Sequence, residues 1–138
     1  MTPMTPDEIQ SFLNGPHIAH IAVLRRDGSP HVTPVWYEYN GHNILAIAEE
    51  TTLKVRCVKR EPRVSVSIAT SDVPYRYVQI TGFADVSDSG AEEALRSMSL
   101  RYKGPDLGPP YVDRILETRG HFVLITIRPD RVIGWTED

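Results

Sequence analysis

Residues 18–48 read IAHIAVLRRDGSPHVTPVWYEYNGHNILAIA, and this stretch decides the fold. Within Ile18 to Arg25, Ala19, Ile21 and Val23 point to one side and His20, Ala22 and Leu24 to the other. Both sides are mostly apolar, which predicts a strand covered on both faces. Arg26-Asp27-Gly28-Ser29 supplies a hairpin turn, with Asp-Gly as its strongest signal. His31 to Tyr39 is rich in β-branched and aromatic residues and reads as a second strand. Asn40-Gly41 marks another tight turn, into a third strand from Asn43 to Ala48. Three strands joined by two tight turns predict an antiparallel meander.

Upstream, Thr5-Pro6-Asp7-Glu8 offers an N-cap, a proline at the first helical position and a capping-box glutamate. Ile9, Phe12 and Leu13 fall on one face of that helix, and Asn14-Gly15-Pro16 stops it. Downstream, Thr51 or Thr52 caps a short helix that Glu61-Pro62 ends. Arg63 to Ala69 alternates like a half-buried strand. Tyr75 to Val86 reads as a long strand, with Gly82 placed for a bend or bulge. Ser89-Gly90-Ala91-Glu92 repeats the capping-box pattern before a helix that Gly104 stops, and Pro110 opens another. His121 to Ile127 and Arg131 to Trp135 read as two strands around a turn at Pro129-Asp130. The expectation is a single domain over residues 1–138, mainly β with flanking helices, of about seven antiparallel strands in a small barrel. A barrel this small has few residues to wall off a pocket, which predicts a dimer whose interface completes the binding site.

Composition removes several function classes. Hydrophobic residues are 41% and charged residues 24%, a globular balance that excludes wholesale disorder. Lys plus Arg is 15 against 18 for Asp plus Glu, a net charge of −3, which argues against a generally basic nucleic-acid binder. Cys57 is alone, so neither an internal disulfide nor a multi-cysteine metal site forms. The histidines at 17, 20, 31, 42 and 121 show no metal-ligand spacing. No apolar run approaches the roughly 20 residues that span a bilayer. Met1 to Gln10 lacks the basic start and apolar core of a signal peptide, so a cytoplasmic protein is expected. There is neither a Gly-x-Ser-x-Gly nucleophile elbow nor a G-x-G-x-x-G dinucleotide fingerprint.

Two features point to chemistry. Residues 54–63 carry Lys54, Arg56, Lys59, Arg60 and Arg63, five of the fifteen basic residues in ten positions. A solvated helix face accounts for part of that run. At its start, though, the hydroxyls of Thr51 and Thr52, first-turn N–H groups and the charges of Lys54 and Arg56 make a phosphate cradle. The second feature is Thr33-Pro34-Val35-Trp36. Pro34 cannot donate to a ladder, so pairing breaks there or runs along an edge, and a break frees backbone groups to meet a flat polar ring. Tyr75 and Tyr77 share a strand face and serve either a cofactor pocket or packing.

The ordered set of these pieces resembles the flavin/deazaflavin oxidoreductases of the split β-barrel superfamily, also described as pyridoxamine phosphate oxidase-like. The carriers are Ile18 to Leu24, Asp27 to Tyr37, Thr52 to Arg56, Lys59 to Val66, Val78 to Ala84 and Ile127 to Trp135. The resemblance covers nearly the whole chain. It implies a split β-barrel, a homodimer with its cofactor at the subunit interface, and coenzyme F420 or FMN as that cofactor. The match is to the F420-dependent branch, which implies hydride transfer between reduced deazaflavin and a conjugated organic small molecule. By the same resemblance Thr52 and Lys54 hold the cofactor phosphate, Thr33 to Trp36 lie along the ring, and Tyr75 and Tyr77 reach in from the partner chain. Alternatives are an FMN-dependent oxidase or reductase and a non-catalytic binder of a cofactor or tetrapyrrole. Related proteins often have Arg where Thr52 stands and Asn where Cys57 stands, and the substrate-binding C-terminal segment of true pyridoxamine phosphate oxidase has no counterpart. Vitamin B6 synthesis is therefore not expected.

Overall fold

A computed structural model describes residues 1–138. The chain opens with a two-residue strand, β1 (Thr2–Pro3), and helix α1 (Pro6–Leu13). The capping box forms as read: Glu8 N–H donates to Thr5 Oγ1 at 3.2 Å, and Thr5 N–H to Glu8 Oε1 at 3.1 Å. Next come β2 (Ile18–Leu24), β3 (Pro30–Val35), β4 (Glu38–Tyr39) and β5 (Ile44–Glu49). Helix α2 (Leu53–Arg60), β6 (Arg63–Ala69), β7 (Arg76–Ser87), the long α3 (Ala91–Thr118) and β8 (Phe122–Thr136) complete the chain.

The strands form one sheet in the order β3-β2-β6-β7-β8-β5-β4, with β1 added against β8. Every pairing is antiparallel. The sheet curls into a split half-barrel flanked by the three helices. Its concave side packs Ile21, Val23, Val66, Ile68, Ile80 and Ile125 against Phe12 and Leu13 of α1 and Val55 and Val58 of α2. Burying each such side chain contributes about 1.5–3 kcal/mol, so this one core supplies most of the driving force.

Three sequence expectations need correction. The meander stops halfway: β3 pairs with β2, but β5 pairs with β8 and β4, and β3 never meets β5. The segment read as one strand from His31 to Tyr39 breaks at Trp36-Tyr37. Tyr37 turns inward and is wholly buried. Its hydroxyl lies 2.9 Å from both the Leu13 and Gly15 carbonyls and donates its one proton between them. Its amide donates to Tyr102 Oη at 3.2 Å instead of to a strand. The hairpin at Asn40-Gly41 therefore belongs to the far end of the sheet.

The second correction concerns the C-terminus. Residues 122–136 form one strand, not two around a turn. The twelve-residue β7 pairs along both halves and holds them in line. Thr81 faces Arg131 and Gly82 faces Pro129, so Asp130 is absorbed as a bulge. The third lies in α3. No side chain caps it; Gly90 is the N-cap, at φ 84°. Gly104 does interrupt the helix, at φ 84° and ψ 173°, but Pro105 rather than Pro110 opens the second half.

A Cβ on Gly82 would lie 2.2 Å from the Arg128 carbonyl oxygen, a backbone atom that cannot swing away. Gly82→Ala should therefore destabilise the fold by about 1–3 kcal/mol, read from urea unfolding. Gly120→Ala, whose Cβ would meet only Glu49 Oε1 at 3.8 Å, should unfold like the wild type.

Candidate functional site

Where β3 leaves the ladder, a cavity of about 590 Å³ opens between the sheet and α3. Its sheet wall is Pro34, Val35 and Trp36, with Ile47, Ala48 and Glu49 of β5 and then Thr52 and Lys54 at the start of α2. The opposite wall is helical: Leu95 and Met98 precede the Gly104 break, and Tyr111, Arg114, Ile115 and Thr118 follow it. Arg119 and Phe122 close one end.

Aromatic stacking and backbone hydrogen bonds hold the two walls together. Trp36 and Tyr102 stack with ring centroids 5.1 Å apart and planes 2° from parallel. Tyr111 leans on Trp36 at 5.7 Å and 55°. The Tyr102 hydroxyl donates to the His17 carbonyl at 2.6 Å while accepting from Tyr37 N–H. Arg101 reaches the Asn14 carbonyl at 3.1 Å and the Gly15 carbonyl beside it. The first half of α3 is thereby fixed to the chain between α1 and β2.

Lys54 dominates the electrostatics. Its ammonium is half-buried and takes part in no ion pair or hydrogen bond within the chain. Burial alone pulls its pKa below the ordinary lysine value. Thr52 is the N-cap residue, but its hydroxyl donates back to the Glu49 carbonyl at 2.8 Å and caps nothing. The first-turn N–H groups of α2 thus lack a side-chain partner beside an uncompensated cation. An anionic group fits this corner, and a flat ring fits the apolar wall at Pro34 to Trp36.

The fold distributes the expected site residues unequally. Pro34, Val35, Trp36, Thr52 and Lys54 line one cavity. Thr51 is exposed on the turn before α2 and does not line it. Thr33 faces inward on β3, and its buried Oγ1 has no hydrogen-bond partner. Arg56 is separated from Lys54: it joins Arg25, Arg26 and Arg60 around a second cavity of about 470 Å³. The reason is helical period, since Leu53, Arg56, Cys57 and Arg60 share one face of α2 and Lys54 lies on another. Cys57 is buried in the core beneath that second cavity. Tyr75 lies just ahead of β7, half exposed, and Tyr77 sits between Ala69 and Trp135; neither lines the first cavity of its own chain.

Sequence reasoning missed the helical wall. Tyr111, Arg114 and Arg119 carried no signal, because the second half of α3 reads as an ordinary amphipathic helix. It also missed that Glu50, Asp88 and His121, from three separate connections, bring ligand atoms within 4.8 Å of one another on the surface. Those groups already pair: His121 Nε2 with Asp88 at 2.5 Å and Lys59 with Glu50 at 3.2 Å.

Residues 5–136 match the pyridoxamine 5'-phosphate oxidase family. The chain belongs to that family. No curated protein matches its sequence. Among solved structures it is similar to an F420 reductase, with 28% identity, a TM-score of 0.75, and 89% of this chain and 94% of that one covered. A conserved hypothetical protein from Mycobacterium tuberculosis is 27% identical, with a TM-score of 0.81 and coverage of 96% and 85%. An FAD-binding protein from Mesorhizobium loti shares the fold at 18% identity, a TM-score of 0.72 and coverage of 99% and 98%. The split barrel of this pyridoxamine phosphate oxidase-like protein is thus the fold of flavin-binding oxidoreductases. None of its helices is long and apolar enough to cross a membrane.

Tyr102→Phe removes the acceptor for Tyr37 N–H and the donor to His17 while keeping the stack on Trp36. It should cost about 1–3 kcal/mol. Hydrogen exchange should speed up in α3 and at Tyr37 and leave the β6–β7 amides protected.

Proposed function

We propose that this protein is a coenzyme F420-dependent reductase that passes a hydride from the reduced deazaflavin to a conjugated organic acceptor. The observation that carries the reading is Lys54, a half-buried cation without a partner in a cavity whose sheet side offers Pro34, Val35 and Trp36. Keeping a lysine partly desolvated and unpaired opposes folding, so its place is best explained by an anion that the chain itself lacks. The similarity to an F420 reductase supports the choice of cofactor.

The residues present fit such a group. Lys54, the open N–H groups of α2 and the Thr52 hydroxyl, turned from the Glu49 carbonyl to donate, would hold its phosphate, and Pro34, Val35 and Trp36 would lie along its ring. When bound, a reduced deazaflavin supplies a hydride to one carbon of a conjugated C=C or C=N bond, and a proton from water completes the two-electron reduction. The protein's own contribution is orientation and exclusion of water: Trp36, Met98, Tyr111 and Phe122 enclose the space, and α3 covers it.

The second part of the proposal is a homodimer. The outer faces of β3, β2, β6 and β7 line up in registered rows: Val32, Ala22, Ser65 and Thr81 form one, and Pro34, His20, Ser67 and Gln79 the next. Neither row carries an acidic residue, a lysine or an arginine, and Val32, Ile18 and Phe83 are exposed on that side at 56%, 40% and 39%. Such a face suits burial against a second copy. Ile18 and Pro34 belong both to this face and to the cavity lining, so an interface here would reach the cavity mouth. Tyr77 lies on the same face beside Ile18 and Ala69, placed to approach the partner's cavity.

Parallel titrations with F420 and FMN test the cofactor. F420 should bind, and FMN more weakly. FMN binding without F420 binding would move the protein to the FMN-dependent oxidases and reductases, and tight binding with no turnover would make it a cofactor carrier. Lys54→Met should lower affinity for the phosphorylated cofactor by about 1.5–3 kcal/mol yet leave the ligand-free protein as stable or more so, because a desolvated charge is gone. The lowered pKa also sets a sign: affinity should fall as pH rises through the Lys54 pKa, and Lys54→Arg should flatten that dependence.

Ala22→Glu places a negative charge within the first of these rows. Light scattering should then report a monomer, with cofactor affinity reduced alongside. A variant that stays dimeric would remove this face from consideration.

A further inference from the structure

The cavity has a second cationic pole that the phosphate corner does not use. Arg114 and Arg119 line its helical side, across from the sheet wall that carries Lys54. Neither arginine forms an ion pair, although the chain has more acids than bases. The acidic groups nearest in sequence are committed or lie outside. Asp113 pairs with Arg96 at 3.1 Å, and Glu117 is exposed outside the lining. The one carboxylate in the lining, Glu49, accepts from Gly120 N–H at 3.0 Å. The lining therefore holds three cations against one anion.

Arg114 is also held in place. Its guanidinium lies over the Tyr111 ring, 5.5 Å from the centroid, and Tyr111 in turn leans on Trp36. A guanidinium carbon over an aromatic ring still leaves N–H groups to meet a planar, two-oxygen acceptor. The lining also offers the apolar side chains of Met98, Ile47, Trp36 and Phe122. A ligand set that satisfies these groups has one anion for Lys54, a flat apolar body and a second anion for the arginines.

We infer that Arg114, assisted by Arg119, selects the acceptor by its charge, and that the protein's substrates are flat conjugated molecules bearing a carboxylate. This rests on the reductase reading for the word substrate. The charge preference itself is a property of the cavity lining and is tested separately.

Trans-cinnamate and trans-cinnamamide share shape and conjugation and differ in charge. Both are titrated calorimetrically into the full-length protein, with and without saturating F420. The acid should bind at least about tenfold more tightly than the amide, the effect of one charge-assisted hydrogen bond. The preference should shrink at high ionic strength, because the arginines are exposed. Arg114→Gln should abolish most of it and Arg119→Gln reduce it. Affinity for F420 should stay within about twofold in both, since Lys54 holds that end. Arg131→Gln, an exposed arginine outside the lining, should change nothing. Equal or undetectable binding of acid and amide overturns the inference, as does a preference that survives both arginine changes. Loss of F420 binding with the acid preference intact sinks the reductase reading alone. F420 binding and turnover of neutral enones without that preference sinks the carboxylate inference alone.

Discussion

Tyr37 leaves the sheet and goes inside, and much of the molecule's shape follows from that. Its phenol is fully buried, and burial holds it far from ionisation, so it acts only as a neutral hydrogen-bonding group. A buried hydroxyl and a buried amide both need partners. The Leu13 and Gly15 carbonyls serve the first and Tyr102 serves the second. With the amide bound to a helix side chain, β3 cannot run on into β4, and the barrel stays split. The opening left behind is the cavity, and the helix that supplied Tyr102 is its far wall. Fold and site therefore share one hydrogen-bond network, unlike a pocket set into a finished barrel.

Charge is sorted just as unevenly. A chain with net charge −3 places Lys54, Arg114 and Arg119 around one cavity and Arg25, Arg26, Arg56 and Arg60 around another. Helix α2 separates the two, and its period decides which side chain faces which. The second group is partly spoken for by the fold: Arg60 binds the Leu24 carbonyl, and Arg25 the Pro30 carbonyl at 3.0 Å. The first group is not. A cation that nothing in the chain neutralises is better placed to receive an anion than a larger cluster already engaged with backbone.

Much of this was legible in the amino acids alone, and the gaps have physical causes. The hairpin at Asp27-Gly28, the capping box at Thr5, the bulge site at Gly82 and the helix start at Thr52, beside which Lys54 lines the cavity, all rest on local rules: turn chemistry, capping and helix-start geometry. Period-two patterning found β2 and β6 for the same reason. The break at Trp36-Tyr37 was not legible, because a β-rich run reads as one strand until a distant tyrosine takes over its hydrogen bond. Asp130 looked like a turn for a related reason: its neighbours pair with a β7 long enough to hold both halves straight.

What the sequence by itself determined, then, was the antiparallel class and most of the strand positions, since backbone preference and side-chain period act within a few residues. Only the tertiary structure decided which elements face each other across the cavity. Tyr111, Arg114 and Arg119 sit some sixty residues from Lys54 along the chain, and no local rule carries a charge that far. Their meeting depends on α3 being pinned by Tyr102 and Arg101, contacts set by packing between segments that share no pattern.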